Sequence, residues 1–263
     1  MGCQIQRILF KKLLNKTIKY LYSLKFTKKY LRKFVIYITT FKFKKKLITS
    51  RFGNYKLILD LREYTAWSYY FKDYEKPIKN FVKKKLKKNS NAIDIGANLG
   101  YFSILFSSII KQGKVYSFEP EKKNFKKLIH NIKLNNYSNI LPYNIGLSNT
   151  KSQKKLFLTS EINEGGHHIL NSNTTNRKYQ IINTDKLDNI IKNKKIFKIV
   201  KIDVEGYELK VLKGMSNVLK RTHYIIIEEN NNFRNINFFL KKFKFKKIAK
   251  FKIDLIFENQ NFK

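Results

Sequence analysis

Two groups of residues in this chain have the types and spacing to do chemistry, and each closes a short apolar run. The first is Asp94-Ile-Gly-Ala-Asn-Leu-Gly100, joined by Glu119 at the close of the next apolar run. Gly96 and Gly100 bracket a turn where, without Cβ atoms, the backbone can approach a ligand closely. Glu119 is placed to accept hydrogen bonds from the two ribose hydroxyls of a nucleoside. A dinucleotide would use the same geometry, but two features argue against one. The pattern is Gly-x-x-x-Gly, and the Gly-x-Gly-x-x-Gly turn that admits a pyrophosphate is absent. Asp94, just before the first glycine, would repel a pyrophosphate yet suits a ligand carrying an ammonium and a sulfonium. Asp94, Gly96, Ala97, Asn98, Gly100 and Glu119 are therefore the expected cofactor-binding residues.

The second group is Ile199-Val-Lys-Ile-Asp203-Val-Glu205-Gly206, with Glu208 following. Asp203 and Glu205 are two residues apart, hence on the same side of an extended chain. A carboxylate whose pKa is raised by partial burial can take a hydroxyl proton. A divalent metal held by Asp203 and Glu228 would instead lower the pKa of the hydroxyl. The plainer alternative is that these acids cap or begin the next helix. The only cysteine, Cys3, excludes an intrachain disulfide and a cysteine-based zinc site, and no residue is assigned to a metal. His167 and His168 follow Gly165-Gly166 in an irregular stretch, where a lid would offer a base near neutral pH; a surface histidine pair is the plainer reading. His130 and His223 read as structural. The candidate catalytic set is Asp203, Glu205 and His167.

The elements that must position these groups follow from apolar patterning. Leu57–Leu61, Ala92–Ile95, Val115–Phe118, Ile140–Asn144, Phe197–Ile202 and Tyr224–Ile227 read as strands. Pro77–Lys88, Tyr101–Lys111, a helix with Phe125, Leu128, Ile129 and Ile132 on one face, and one spanning Leu209–Leu219 alternate with them. Gln153–Asn183 suits hairpins or a loop insertion. Phe243–Phe257 reads as two strands without a helix between them, hence an antiparallel pair. Alternation closed by such a hairpin is an open, doubly wound, mostly parallel α/β sheet, whose ligands bind beyond the carboxyl ends of the strands where their order reverses.

Asp94-Ile-Gly-Ala-Asn-Leu-Gly-Tyr-Phe-Ser103, Phe118-Glu-Pro120, Asn131 with Leu134-Asn135, Thr184 with Leu187-Asp188, and Lys201-Ile-Asp-Val-Glu-Gly-Tyr-Glu208 with Val211-Leu-Lys-Gly214 resemble the FkbM-type methyltransferases. The match runs from Asp94 to Glu229. It implies a class I (Rossmann-like) methyltransferase fold, S-adenosylmethionine as donor, and a hydroxyl acceptor on a sugar, glycan or secondary metabolite. It also implies that the 201–208 block faces the methyl-transfer centre, and it says nothing of residues 1–55.

Composition bounds the rest. The 263 residues carry a formal charge of +38 with 43% hydrophobic residues, ample for a packed core. Such charge draws a surface to nucleic acid or anionic lipid. Yet only Arg7, Arg32, Arg51, Arg62, Arg177, Arg221 and Arg234 are arginines among 56 basic residues, which points to a compositional lysine bias. No acid precedes Asp60, and Ile5, Leu9, Leu13, Ile18 and Leu21 recur at near-helical spacing. Residues 1–55 thus read as a basic helical extension and 56–263 as the catalytic domain. The extension either packs on the domain or another subunit, or lies on an anionic membrane. Met1-Gly-Cys3 lacks the hydroxyl residue of a myristoylation signal, no cleavable leader is evident, and a cytoplasmic location is expected. The rival readings are an RNA methyltransferase, which lacks an Asn-Pro-Pro-Tyr-type base-flipping platform here, and a non-catalytic basic membrane or polyanion adaptor on the same scaffold.

Overall fold

A computed structural model describes residues 47–60, 63–71, 75–158, 178–229 and 233–262. By chain contacts, 47–50, 58–60 and 63–71 belong to one compact unit and the remaining described residues to another. The smaller unit contains helix α1 (Tyr64–Phe71), which buries Ala66 and Tyr69. Strands β1 (Leu47–Phe52) and β2 (Tyr55–Asp60) pair in a two-stranded sheet closed at Gly53-Asn54.

The larger unit is built on seven strands. In chain order these are β3 (Ala92–Ile95), β4 (Val115–Phe118), β5 (Ile140–Tyr143), β9 (Phe197–Ile202), β10 (Thr222–Glu228), β11 (Phe245–Phe251) and β12 (Asp254–Asn259). Across the sheet the order is β11-β12-β10-β9-β3-β4-β5. The pairs from β10 to β5 are parallel, and β12 runs antiparallel to both β10 and β11. The expected sheet with its C-terminal hairpin is thus present. Strand order reverses at β3: the chain steps outward to β4 and β5, then returns to β9 on the other side.

The central strands are short and buried on both faces because helices cover both. On one face Ile93, Ile95, Phe118, Val200, Ile202, Ile225 and Ile227 form a core with helices α5 (Leu187–Ile190), α6 (Glu208–Lys213), α7 (Ser216–Leu219) and α8 (Phe233–Lys241). Helices α2 (Lys76–Lys85), α3 (Tyr101–Ile109) and α4 (Lys122–Leu134) complete the unit. Between β5 and β9 a second sheet forms from β6 (Gly146–Leu147), β8 (Tyr179–Asp185) and β7 (Ser152–Phe157) in that order. The hairpin expected in the 153–183 stretch is therefore present at its ends. Residues 159–177, with His167 and His168, lie outside the described residues, as do 1–46; of the expected helical extension only 47–55 is described, and it forms β1, a turn and the start of β2.

One expected helix is two. Leu209–Leu219 breaks at Gly214-Met215 into α6 and α7. A Cβ on Gly214 would lie 2.0 Å from the Ser148 carbonyl oxygen. The chain passes so close to the β6–β7 connection that a continuous helix with side chains does not fit there.

Candidate functional site

The carboxyl ends of β3, β4, β9 and β10 meet where the strand order reverses, and both residue groups lie there. Gly96 has φ +80°, and a Cβ on it would sit 1.8 Å from the Asp203 carbonyl oxygen. Only glycine lets the turn after β3 pass that close to the end of β9, where the Asp203 amide donates to the Ile95 carbonyl at 3.0 Å. On the other side the amides of Gly96 and Ala97 both donate to the Phe118 carbonyl, at 2.9 and 3.0 Å. These two N–H groups are engaged and cannot cradle a phosphate, an independent reason against a dinucleotide. Asn131 of α4 donates to the Leu99 carbonyl at 2.8 Å, and Asn144 donates to the Glu119 carbonyl at 2.8 Å. These contacts give the Asn131 position of the motif a role in holding the turn.

Glu119 is buried. Its carboxylate accepts from the Asn98 amide at 2.7 Å and the Glu121 amide at 2.9 Å. Burial pushes its pKa up to about 8, the two amides pulling against it. Each oxygen holds one amide and keeps lone pairs for further donors such as a ribose diol. Asn98, at φ +50°, accepts from the Leu99 amide through its own side chain at 2.7 Å.

Asp94 is buried in a register row between Ser117 on β4 and Lys201 on β9. Ser103 of α3 donates to Asp94 Oδ2 at 2.5 Å, and Ser117 donates to Ser103 at 2.8 Å. Burial raises the Asp94 pKa, with the Lys201 charge and the Ser103 hydrogen bond opposing. Lys201 is 4% exposed, its Nζ 2.7 Å from Asp203 Oδ2 and 4.7 Å from the Phe102 ring centroid. Burial alone would lower its pKa, but Asp203, Glu75 and Asp94 outweigh that and hold it well above the usual lysine value. A fixed ammonium therefore lies beneath the site, a group the sequence reading passed over although it stands inside the quoted motif.

Around it gather the acids. Asp203, Glu205 and Glu228 each bring a carboxylate oxygen within 4.8 Å of the others. The route to this differs from expectation. β9 ends at Ile202, and Glu205 sits at φ +50° with Gly206 at φ +95°. A left-handed turn, not an extended chain, returns Glu205 toward Asp203. Nor do these acids cap the next helix: the residue before α6 is Tyr207, which makes no side-chain cap, and Glu208 accepts from the Gly206 amide at 2.9 Å. Glu205 exposes part of its side chain while its carboxyl turns inward, and burial, Asp203 and Glu208 push it to about 7. Burial, with Asp203 and Glu205 nearby, pushes Glu228 to about 8. Asp254 opens β12 opposite Glu228, and burial pushes it to about 6. Asp254 went unread because only the antiparallel register brings it here. The cluster has the spacing to share a cation or protons, although Lys201 already occupies one Asp203 oxygen.

A doubly wound α/β sheet with a glycine turn and a strand-end carboxylate at its order reversal defines the class of open-sheet proteins that bind ligands at that reversal. Within it, the family model described as the methyltransferase FkbM domain matches residues 94–257, and the chain belongs to that family. It is 31% identical over 137 residues to the hexuronic acid methyltransferase AglP of Haloferax volcanii, covering 51% of this chain and 54% of that protein. It is 22% identical over 149 residues to Methyltransferase 1 of Beauveria bassiana, covering 49% of this chain and 59% of that protein. The chain thus spans somewhat over half the length of these curated relatives. A crystal structure of a methyltransferase FkbM from Methylobacillus flagellatus KT is similar at a TM-score of 0.47 and 16% identity, covering 66% of this chain and 44% of that one.

Proposed function

We propose that this chain is an S-adenosylmethionine-dependent O-methyltransferase that modifies a hydroxyl on a sugar or glycan. The observation that carries this reading is Glu119, held by two backbone amides across from a glycine turn whose own amides are engaged. That arrangement offers hydrogen-bond acceptors to a ribose diol and nothing to a pyrophosphate. Asp94, Gly96, Ala97, Asn98, Gly100 and Glu119 hold the cofactor, and the acids at the ends of β9 and β10 face its sulfonium. Above their raised pKa values these carboxylates are charged, which suits a cationic donor and disfavours an anionic one.

Transfer needs the acceptor oxygen aligned in line with the methyl carbon. S-adenosylmethionine bound there would supply the methyl group, and a carboxylate of the cluster would take the hydroxyl proton. Glu205 and Glu228, raised to about 7 and about 8, have proton affinities matched to that task near neutral pH. The sugar assignment draws on the likeness to a protein named as a hexuronic acid methyltransferase.

The test is calorimetric titration with S-adenosylhomocysteine, comparing wild type with Asp94→Ala and Glu119→Ala, followed by transfer of labelled methyl to hexuronic acids and glycans. Micromolar binding lost in Glu119→Ala supports the site. A folded wild type that binds no S-adenosylhomocysteine overturns the proposal.

A further inference from the structure

The segment that joins β10 to β12 carries a pattern the cofactor site does not use. No acidic residue lies between Glu229 and Asp254, while Arg234, Lys241, Lys242, Lys244, Lys246, Lys247, Lys250 and Lys252 all do. Every one of these lysines is exposed. Large apolar side chains stand out among them: Phe238 is 66% exposed, Ile248 42% and Ile253 51%. Lys242 Nζ lies 4.8 Å from the Phe238 ring centroid and Lys247 Nζ 5.1 Å from that of Phe233. Ammonium and aromatic groups lie side by side at both places.

Two ordinary explanations cover only part of this. β11 is an edge strand, and lysines there discourage pairing with another chain. That accounts for Lys246, Lys247 and Lys250 but not for Phe238 on α8 or Ile253 at the hairpin tip. A lysine-rich composition accounts for the number of cations, but not for apolar side chains held in water beside them. The chemistry also discriminates between polyanions. Phosphate recognition in nucleic acids draws on planar, bidentate arginine, and this segment has one arginine. Ammonium groups with snorkelling stems interleaved with protruding Phe and Ile suit a headgroup layer, where the charges meet lipid phosphates and the apolar groups enter the acyl boundary.

The position of the patch gives it a purpose. Ile253 precedes Asp254, which pairs in register with Glu228. The Glu229 amide donates to the Ile253 carbonyl at 2.6 Å, and Lys250 forms an ion pair with Glu229. The hairpin tip is therefore a rim of the acidic cluster.

We infer that α8, β11 and the β11–β12 tip form a docking surface for an anionic phospholipid bilayer, which brings the mouth of the acidic cluster to the headgroup layer. Docking needs no cofactor, so it stands or falls apart from the methyl-transfer reading.

Co-sedimentation of the full chain with vesicles of phosphatidylcholine, alone or mixed with phosphatidylglycerol, tests it. The variants are Phe238→Ser with Ile253→Ser, and Lys242→Glu with Lys247→Glu. All four side chains are exposed, so both variants should keep wild-type circular dichroism and S-adenosylhomocysteine binding. Wild type is expected to pellet with the anionic vesicles only. With each lysine near such a surface worth roughly a fivefold change in affinity, the charge variant should lose tenfold or more. The apolar variant should also pellet less. Three results overturn the inference: wild type that ignores the phosphatidylglycerol, folded variants that pellet like wild type, or variants that lose single-stranded RNA binding while vesicle binding is unchanged.

Discussion

At the scale of single residues, Gly96, Glu119 and Lys201 each answer to one physical demand. Gly96 is required by space, since any Cβ would overlap the Asp203 carbonyl. Gly96→Ala should therefore separate the ends of β3 and β9 and abolish S-adenosylhomocysteine binding; titration with intact affinity would contradict the close approach. Glu119 is required by valence: its two oxygens serve two backbone amides and keep lone pairs for further donors. A glutamine there keeps one acceptor oxygen and turns an NH2 toward a backbone amide. A buried donor left without its acceptor costs about 1–3 kcal/mol, so Glu119→Gln should weaken S-adenosylhomocysteine binding by roughly fivefold or more, read by calorimetry. Lys201 is required by compensation. Removing it in Lys201→Met leaves Asp94 and Asp203 facing each other, and breaking a buried pair of this sort costs about 3 kcal/mol. Urea unfolding reads that directly, and a midpoint equal to wild type would show that the ammonium is dispensable.

At the scale of elements, the ends of β10 and β12 form a pH-sensitive seam. Glu228, normally near 4.5, is raised to about 8 in the folded chain. Between those values the folded state binds more protons than the unfolded one, so this group stabilises the fold at low pH, and that contribution is lost as pH rises through about 8. Glu228→Gln should flatten the fall in wild-type thermal midpoint across that window. Parallel midpoint curves for the two proteins would remove Glu228 from the buried cluster. Much of this element structure was legible in the sequence. β3, β4, β9 and β10 are short apolar runs, and Asp94, Glu119, Asp203 and Glu228 mark their ends. What was not legible depends on residues distant in the chain. Lys201 comes beside Asp94 only through the parallel pairing of β3 with β9, and Asp254 reaches Glu228 only through the antiparallel register of β10 and β12. The break at Gly214 is set by Ser148. Helix α8 has no acid in its first turn, and its Phe and Asn residues are indifferent helix formers; the burial of Ile236 and Leu240 in the core supports it. His167 lies within 159–177, outside the described residues.

At the scale of the whole molecule, charge and chain order matter most. An excess of +38 repels itself. Raising ionic strength from about 10 mM to about 150 mM shortens the screening length from roughly 30 to roughly 8 Å. The thermal midpoint should therefore rise over that range, and differential scanning fluorimetry that showed a fall would mean that attractive ion pairs dominate instead. The sheet order has a consequence for synthesis. β3 lies in the interior of the sheet, but its neighbour β9 comes from the chain about a hundred residues later. At typical translation speeds β3 waits roughly 5–20 s with one edge unpaired. The turn at Gly96, which packs on the Asp203 carbonyl, cannot close until then. The half of the chain that carries Glu119 is thus made first and completed last. A nascent chain halted before Phe197 would carry the whole glycine turn and Glu119 and still lack the strand they pack against, leaving an open strand edge for chaperones to guard.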